Sequence, residues 1–351
     1  MRKCVIIGGG VAGLSAAIRL AELGHPPLLI DAGKYPSHRL CGEFFSPECL
    51  PLLKQWEIPL DSSITSARFI SVDREIAFEL PNAAGSLSRY VLDLKLLDRA
   101  RALGAEVYTE TAVKAIVPQA TGYQVHLPDG KIIESRQLMI GTGRLPQLAK
   151  RDSHSPKYYA FKAHFEGSRP DQTIEMYCFK GGYMGISPIA PTIFNIACLV
   201  RRELVQDPAS YMLQFEEHYR GMRMIFPQWI TALAPEFGLK VNPAWPNVFW
   251  LGDAAGSIPP VCGEGLGLAL TTGIMAAEYC VHKNAKLFKE DWWKRYHARF
   301  FWGKWLHRVV MSPFLSTVGV LSCKALPSIP RKLYLWTREL DCVDEVDKSG
   351  Q

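Results

Sequence analysis

The sequence lacks the patterns that place metal ions, disulfides or membrane spans in a protein. Its 351 residues include nine cysteines, but no two of these form a C-x-x-C pair, and its nine histidines are scattered. We therefore predict no metal site and reduced thiols, as is usual in a cytoplasmic protein. No uninterrupted apolar run approaches the roughly 20 residues that cross a bilayer. No secretory signal pattern precedes the first apolar segment, which also favours a cytoplasmic location.

Neither the overall charge nor the composition points to an unusual class of protein. The chain is 48% hydrophobic and 21% charged, with a net charge of +6 concentrated late in the sequence. These proportions are typical of a globular protein large enough to bury a sizeable core. We find no internal repeat and expect no nucleic-acid partner.

The first informative stretch is a glycine turn near the N-terminus. An apolar segment at residues 4–7 leads into GGGVAG and then into a helical pattern. Gly8 permits the tight turn, Gly10 lets a pyrophosphate approach the backbone, and Gly13 lets the helix pack close to the strand. The helix N-terminus offers N–H groups to phosphates, and Asp31 ends the next strand where an acid binds a ribose. This order of elements predicts a dinucleotide site.

A second glycine pattern lies more than 200 residues later. Gly252 and Asp253 end an apolar segment, so the Asp253 carboxylate can bind the hydroxyls of a polyol chain. Gly263 and Gly265 then begin a helix rich in small residues, and its N-terminal dipole favours negative charge on a reduced ring system. The two patterns together predict a flavin dinucleotide, FAD, as the cofactor.

Residues 1–285 resemble the FAD-dependent oxidoreductases that include geranylgeranyl reductases and single-component aromatic hydroxylases. The resemblance is carried by GGGVAG with Asp31, by Arg89 and Asp93 in SRYVLDLKLLDRA, by GTGR at 141–144, and by GDAAGSIPPVCGEG at 252–265. The turn GTGR has Thr142 where an acid is common in that family. The resemblance implies that Arg89 reaches the flavin. It implies cofactor contacts from Gly8, Gly10, Gly13, Asp31, Arg39, Cys41, Gly42, Arg89, Gly252, Asp253, Pro259, Gly263, Gly265 and Leu266.

Two further stretches resemble the geranylgeranyl reductase branch. The segment RLCGE, followed by Ser46 and Pro47, is similar to the cysteine loop of those enzymes, and GYMGISP is similar to their Tyr-x-Trp-x-Phe-Pro strand. The match is partial, because Gly185 and Ser187 stand where that strand has aromatic residues. Cys41 and Tyr183 are accordingly the candidate catalytic residues. The tryptophan pair of flavin halogenases is absent, so we do not expect halogenation.

The patterns predict an α/β protein with interleaved domains. A Rossmann-type FAD-binding domain of the glutathione-reductase type is expected over residues 1–66, 88–150 and 240–285. An antiparallel sheet over residues 67–87 and 151–239 would bind the substrate, and residues 286–351 would form a helical region. We also expect a helix from a Ser46 cap to about residue 56, and another over residues 209–219.

The resemblance implies FAD-dependent redox chemistry on a hydrophobic small molecule. We favour hydride transfer to a C=C bond of a prenyl or polyene substrate, with NAD(P)H or another external reductant as electron donor. One alternative is a monooxygenase that hydroxylates an aromatic or polyketide substrate. A second alternative is a non-enzymatic prenyl-binding protein.

Basic and aromatic residues are interleaved over residues 283–308, with only Glu290 and Asp291 as acids. This composition predicts a peripheral contact with a membrane, or a cover over a lipid-like substrate. The alternative is a helix that packs its aromatic side chains on the FAD-binding domain and leaves its basic face in water.

Overall fold

A computed structural model confirms the predicted α/β class and describes residues 1–143, 156–169, 172–234, 236–240 and 245–338. Arg144 of the GTGR turn lies outside these residues. The strands in chain order are β1 (Arg2–Ile7), β2 (Leu28–Ile30), β3 (Phe44–Phe45), β4 (Ser62–Ser71), β5 (Arg74–Ser86), β6 (Glu106–Tyr108), β7 (Ala115–Gln119), β8 (Gly122–His126), β9 (Ile132–Ile140), β10 (Tyr158–Glu166), β11 (Thr173–Phe179), β12 (Gly182–Ala190), β13 (Ile193–Arg201), β14 (Arg223–Met224), β15 (Ile230–Ala234), β16 (Gly238–Leu239), β17 (Val248–Trp250) and β18 (Gly256–Ser257). The helices are α1 (Val11–Glu22), α2 (Leu50–Gln55), α3 (Arg89–Ala102), α4 (Gly265–His282), α5 (Ala285–Val310), α6 (Pro313–Ala325) and α7 (Ser328–Trp336).

The first sheet carries the glycine turn. Among the described residues its order is β6-β2-β1-β9-β8-β7, and β17 also pairs with β9. Strand β9 has two roles: residues 132–135 pair antiparallel with β8, whereas residues 138–140 run parallel between β1 and β17. The burial of β9 follows this division, because Ile132 is exposed whereas Leu138 and Ile140 are fully buried. A parallel segment covered on both faces needs apolar side chains on both.

The second sheet has two apolar faces that pack against different neighbours. Its order is β14-β10-β13-β12-β11-β4-β5-β3, with β15 beside β10, in the part of the chain that is described. Successive side chains of β12 point to opposite faces. Tyr183 therefore joins the large core shared with the first sheet, which carries the glycine turn and is called the FAD-binding sheet below. Met184 joins a separate core with the 3-10 helix Tyr211–Tyr219.

Helices α1 and α4, which follow the first and second glycine patterns, pack directly against each other. Helix α1 packs on α4 at Gly273, where a Cβ would lie 2.1 Å from Ser15 Oγ and 2.4 Å from the carbonyl oxygen of Ala12. The small residues of α4 thus allow a close approach between the two glycine patterns.

The C-terminal helices cover the second sheet and the cavity described below. Helix α5 buries Phe288, Trp292 and Phe300 against the large core, while Trp293 and Phe301 face outward. Within the described ranges, no helix by itself has the length and hydropathy to cross a bilayer. Helices α5 and α6 meet that test only as a pair, and they are bent by 107° at their junction.

Three local predictions differ from the structure. Strand β4 begins at Ser62 and not near residue 67, because a bulge between Ile64 and Ser66 interrupts the alternation on which the prediction depends. The helix predicted over residues 209–219 is a 3-10 helix, Tyr211–Tyr219. The helix predicted from Ser46 is a 3-10 turn, Pro47–Cys49, followed by α2, and Ser46 makes no capping hydrogen bond.

Candidate FAD and substrate site

The glycine turn at the start of α1 has the geometry that a dinucleotide requires. Gly8 has a φ of +103°, and a Cβ there would lie 2.4 Å from the carbonyl oxygen of Gly141. A Cβ on Gly13 would lie 1.9 Å from the Gly8 carbonyl oxygen. A Cβ on Gly10, in contrast, would meet no described atom within 4 Å beyond its chain neighbours, and Gly10 lines a large cavity. The turn is therefore packed against backbone atoms at Gly8 and Gly13 and open to the cavity at Gly10, where the N-terminus of α1 offers N–H groups to phosphate.

Asp31 follows β2 beside the glycine turn, but it does not line the cavity. The Tyr35 hydroxyl donates to Asp31 Oδ2 at 2.6 Å and also contacts the Gly9 carbonyl oxygen. Arg39 lies 3.9 Å from the same carboxylate oxygen. Among the described residues, the hydrogen bond and the ion pair of this carboxylate fall on Oδ2.

The second glycine pattern meets the first at the cavity. Gly252, with a φ of +50°, donates its N–H to Thr272 Oγ1 at 3.0 Å, and a Cβ there would lie 3.1 Å from Ala12 Cβ. Asp253 follows in a 3-10 turn and lines the cavity, as do Gly263 and Gly265 at the start of α4. Two helix N-termini and one carboxylate thus converge on the same space, which fits a dinucleotide with a polyol linker.

Arg89 begins α3 and borders the cavity beside Cys41. Its guanidinium donates to both carboxylate oxygens of Asp93, at 2.6 and 2.7 Å. Burial alone would lower the pKa of Arg89, but the charge and hydrogen bonds of Asp93 together have the larger effect and keep that pKa above its ordinary value. The cation is therefore fixed in orientation at the edge of the cavity.

A buried charge cluster that the sequence analysis missed holds the Cys41 loop in place. Glu43 is fully buried, and its carboxylate lies 2.5 Å from Lys162 Nζ and 2.7 Å from His164 Nε2. The Arg89 amide donates to Glu43 Oε1 at 2.7 Å. Burial alone would raise the pKa of Glu43, but the hydrogen bond with His164 and the charge of Lys162 lower it overall. Glu43 is therefore a carboxylate at neutral pH.

The same strands anchor the loop through its backbone. Lys162 donates to the carbonyl oxygen of Arg39 at 3.0 Å, and Asn195 Nδ2 donates to the carbonyl oxygen of Cys41 at 3.0 Å. The Cys41 loop follows β2 of the first sheet in sequence, but it is attached to β10 and β13 of the second sheet. Two basic residues at alternate positions of an otherwise apolar strand, Lys162 and His164, are the sequence signal that could have revealed this cluster.

A second buried cluster lies at the N-terminus of α4. The Glu264 carboxylate is 3.0 Å from Arg338 Nε and 3.4 Å from Arg299 Nη1. Burial and, to a lesser extent, the neighbouring Glu48 raise the pKa of Glu264 to about 7, against the opposing charges of Arg338 and Arg299. The cluster fastens α5 and the end of α7 to the start of α4.

One cavity of about 950 Å³ joins these features. It is lined by Gly10, Cys41 and Tyr183, and by apolar side chains of β4, β5, α5, α6 and α7. The apolar lining includes Phe69, Ile76, Phe78, Leu80, Leu306, Val309, Leu315, Val318 and Leu333. A cavity of this size and composition suits a cofactor together with an apolar ligand.

Two buried polar atoms interrupt the apolar lining. Ser187 Oγ and Asn195 Oδ1 have no hydrogen-bond partner among the described residues, although both side chains are buried and line the cavity. Buried polar groups usually find a partner, so this position is suited to a polar group of a ligand.

The predicted site residues divide into two sets by location. Those that line the cavity are Gly10, Cys41, Gly42, Arg89, Tyr183, Gly252, Asp253, Gly263, Gly265 and Leu266. Those that lie behind or beside it are Gly8, Gly13, Asp31, Arg39 and Pro259. In this second set, Gly8 and Gly13 shape the glycine turn. Arg39 lies beside the cavity-lining residues, 4.0 Å from the Asp93 carboxylate.

Comparisons with known proteins agree with this geometry. Residues 3–42 match the model of an FAD binding domain. The chain is 24% identical to menaquinone reductase of Mycolicibacterium smegmatis over 322 residues, 82% of this chain and 78% of that protein. It is 24% identical to digeranylgeranylglycerophospholipid reductase 2 of Methanothermobacter thermautotrophicus over 302 residues, 78% of this chain and 76% of that protein.

Among solved structures, a geranylgeranyl bacteriochlorophyll reductase-like protein from Thermoplasma acidophilum aligns with a TM-score of 0.74 at 16% identity. The alignment covers 95% of this chain and 98% of that one. Flavin-dependent halogenases share the fold as well, and at such identities the likeness concerns the fold alone.

The site and these comparisons define the chain as an FAD-dependent oxidoreductase. Within that class it is similar to the reductases of the geranylgeranyl reductase and menaquinone reductase type, which confirms the resemblance predicted from the sequence.

Proposed function

We propose that this oxidoreductase reduces a C=C bond of a hydrophobic substrate of the prenyl or polyene type. When bound, FAD supplies the hydride, which it receives from NAD(P)H or another external reductant. The observation that carries the proposal is the continuity of the cavity, which leads from the glycine turn at Gly10 into a space walled by apolar side chains. Such a wall binds a hydrocarbon chain by removing it from water.

The names of the relatives support the same class of substrate. One relative is named for reduction of a digeranylgeranylglycerophospholipid, and another for reduction of menaquinone. A geranylgeranyl group is an apolar chain with several C=C bonds, and the lining formed by Phe69, Phe78 and Val318 complements a chain of that kind.

Reduction of a C=C bond also needs a proton at the second carbon. Tyr183 is 3% exposed, and its hydroxyl accepts a hydrogen bond from the Val261 amide at 3.2 Å. Cys41 Sγ accepts from the Glu43 amide at 3.4 Å. Both groups line the cavity in fixed orientations, so we assign proton delivery to Tyr183 Oη or Cys41 Sγ. Ser187 and Asn195 would bind the substrate's polar group.

The test is single-turnover reoxidation of anaerobically reduced protein, followed by flavin absorbance and product analysis. We expect a prenyl compound with C=C bonds to reoxidise the flavin faster than O2, and its product to contain one double bond fewer. Rapid reoxidation by O2 with hydroxylation of an aromatic compound would refute the proposal and favour the monooxygenase alternative.

Substitutions then distinguish the two proton donors. Whichever of Tyr183→Phe and Cys41→Ala removes the proton donor should slow single-turnover reduction on the order of 100-fold, with FAD content unchanged. The matched control is Cys49→Ala, because Cys49 is buried outside the cavity. If neither candidate variant is slower than the control, the assignment of proton delivery is wrong.

A further inference from the structure

Helix α6 presents its apolar residues outward. Phe314 is 74% exposed, and Val318 and Leu321 are each 45% exposed. These positions recur at the spacing that places residues on one face of a helix. The opposite face is buried: it carries Val320, which is 6% exposed, and Ser316, whose Oγ lies 2.6 Å from Ser71 Oγ of β4. A helix that faces water usually carries polar residues on its outer face, and the exposed apolar residues of α6 depart from that pattern.

The exposed apolar face continues onto the neighbouring helices. Leu326 is 59% exposed, Trp336 50% and Trp305 44%. We call the set of Trp305, Phe314, Leu315, Val318, Leu321, Leu326 and Trp336 the outer apolar surface. These residues lie on or between helices that pack against one another, and a cluster of exposed apolar side chains marks an interaction site, whereas isolated ones are ordinary.

Basic side chains accompany the outer apolar surface. Residues 301–338 contain no aspartate or glutamate in the sequence. The exposed basic residues of this stretch are Lys304, Arg308, Lys324, Arg331 and Lys332. An apolar surface accompanied by these basic residues complements an anionic phospholipid bilayer, where each basic residue near the surface adds to the attraction. The acids at the adjacent turn between β4 and β5, Asp73 and Glu75, are paired with Arg74 and Arg68.

The cavity opens at this surface. Trp305, Leu315, Val318 and Trp336 are exposed, and all four also line the cavity. The same side chains would therefore contact a bilayer on one side and a ligand on the other.

We propose that the outer apolar surface docks on an anionic phospholipid bilayer and places the mouth of the cavity against its acyl chains. Phe314, Val318 and Leu321 enter the interface, while Lys324 and Lys332 contact the lipid phosphates. A substrate dissolved in the bilayer would then reach the cavity without crossing water; this last step depends on the proposed function, whereas the docking does not.

Vesicle flotation tests the docking without any turnover. The FAD-loaded protein should float with vesicles of phosphatidylcholine containing phosphatidylglycerol at low salt, and bind far more weakly to phosphatidylcholine alone. The triple variant Phe314→Ser/Val318→Ser/Leu321→Ser should reduce vesicle partitioning on the order of 100-fold. The variant Lys324→Gln/Lys332→Gln should reduce it roughly 30-fold, and only on anionic vesicles.

The matched control is Leu213→Ser, because Leu213 is 65% exposed on the 3-10 helix beside the other core. It should float as the unmodified protein does, and FAD content should be unchanged in every variant. Docking is refuted if the unmodified protein stays with the buffer, or if the triple serine variant floats equally well. If light scattering without vesicles shows a dimer that the serine variant dissociates, the surface is a subunit interface and the proposal is also wrong.

A failure of docking leaves the proposed function testable. Reduction of a short prenyl compound in detergent requires the cavity but no vesicles. If the unmodified protein does not float but still reduces the short prenyl compound, the docking alone is overturned, whereas flotation without turnover of any prenyl compound overturns the proposed function alone.

Discussion

The substitution Glu43→Gln should destabilise the protein strongly, because it removes the charge that compensates a fully buried ammonium group. Lys162 is 0% exposed, and its Nζ lies 2.5 Å from Glu43 Oε1. Removal of one partner of a buried ion pair costs about 3–5 kcal/mol. Glutamine can still accept the Arg89 amide hydrogen bond, so we expect the lower end, about 3 kcal/mol. For a chain of this length, that loss corresponds to a Tm decrease of about 4 °C.

Denaturant titration and calorimetry of the FAD-loaded protein measure this loss. The matched control is Glu166→Gln on the same strand as Lys162, because Glu166 pairs with Arg223 on the surface. We expect the control to change stability by at most about 1 kcal/mol. The double variant Glu43→Gln/Lys162→Met removes both charges and should recover more than half of the loss.

The cost of Glu43→Gln should also depend on pH. The pKa of Glu43 is lowered in the folded protein. Its contribution is therefore complete above its pKa in the unfolded chain, and it is lost as the pH falls through the folded-state value. The difference between the two proteins should shrink in acid. The reasoning is refuted if Glu43→Gln costs no more than Glu166→Gln, or if the double variant is less stable than the single one.

Three other substitutions test the FAD site and its supports. Gly10→Val should yield colourless protein, because it fills the open face of the glycine turn; normal flavin absorbance after purification would contradict the assignment. Burial raises the pKa of Glu264 to about 7, so the folded state binds the proton of Glu264 more tightly than the unfolded state does. The free energy of unfolding should therefore fall as the pH rises from about 5 to 8, and Glu264→Gln should remove this fall. An unchanged pH profile of stability in the variant would argue against this. Gly273→Val should destabilise by about 1–3 kcal/mol by overpacking α1 against α4. Gly319→Ala on α6, where an added Cβ would lie 3.7 Å from its nearest atom, should instead stabilise by up to about 1 kcal/mol in the same denaturant titration, because alanine is the better helix former.

The sequence allows a prediction of the FAD-binding half of the site because that half is encoded locally. Gly8, Gly10 and Gly13 have their roles within one turn, and the strand and helix patterns beside them show the context. The second pattern adds Asp253, and family resemblance adds Arg89. The roles of these residues stay predictions, although the structure places most of them around one cavity.

The supports of the site are long-range and could not be predicted in the same way. Glu43 meets Lys162 and His164 only when the two sheets pack together, and neither segment alone shows that the other carries its partner. The exposure of the apolar face of α6 could not be predicted either. A pattern of apolar residues predicts that they share one face of a helix, but not whether that face packs on the protein or faces solvent. The position of Ser316 against Ser71 decides this in the folded protein.

The double role of strand β9 affects how the chain is synthesised and folded. Its last residues pair with β1 at one end of the chain and with β17 far along it, so the FAD-binding sheet is incomplete until Val248–Trp250 leave the ribosome. At ordinary rates of translation, synthesis of the residues between β9 and β17 takes about 5–20 s, and β9 lacks its β17 partner for that time. During this interval the apolar edge of β9 is uncovered, and the cofactor has only one of its two glycine patterns. An FAD site that needs both glycine patterns is therefore complete only once residues 252–265 have been synthesised, and until then the unpaired edge of β9 is open to pairing with other chains.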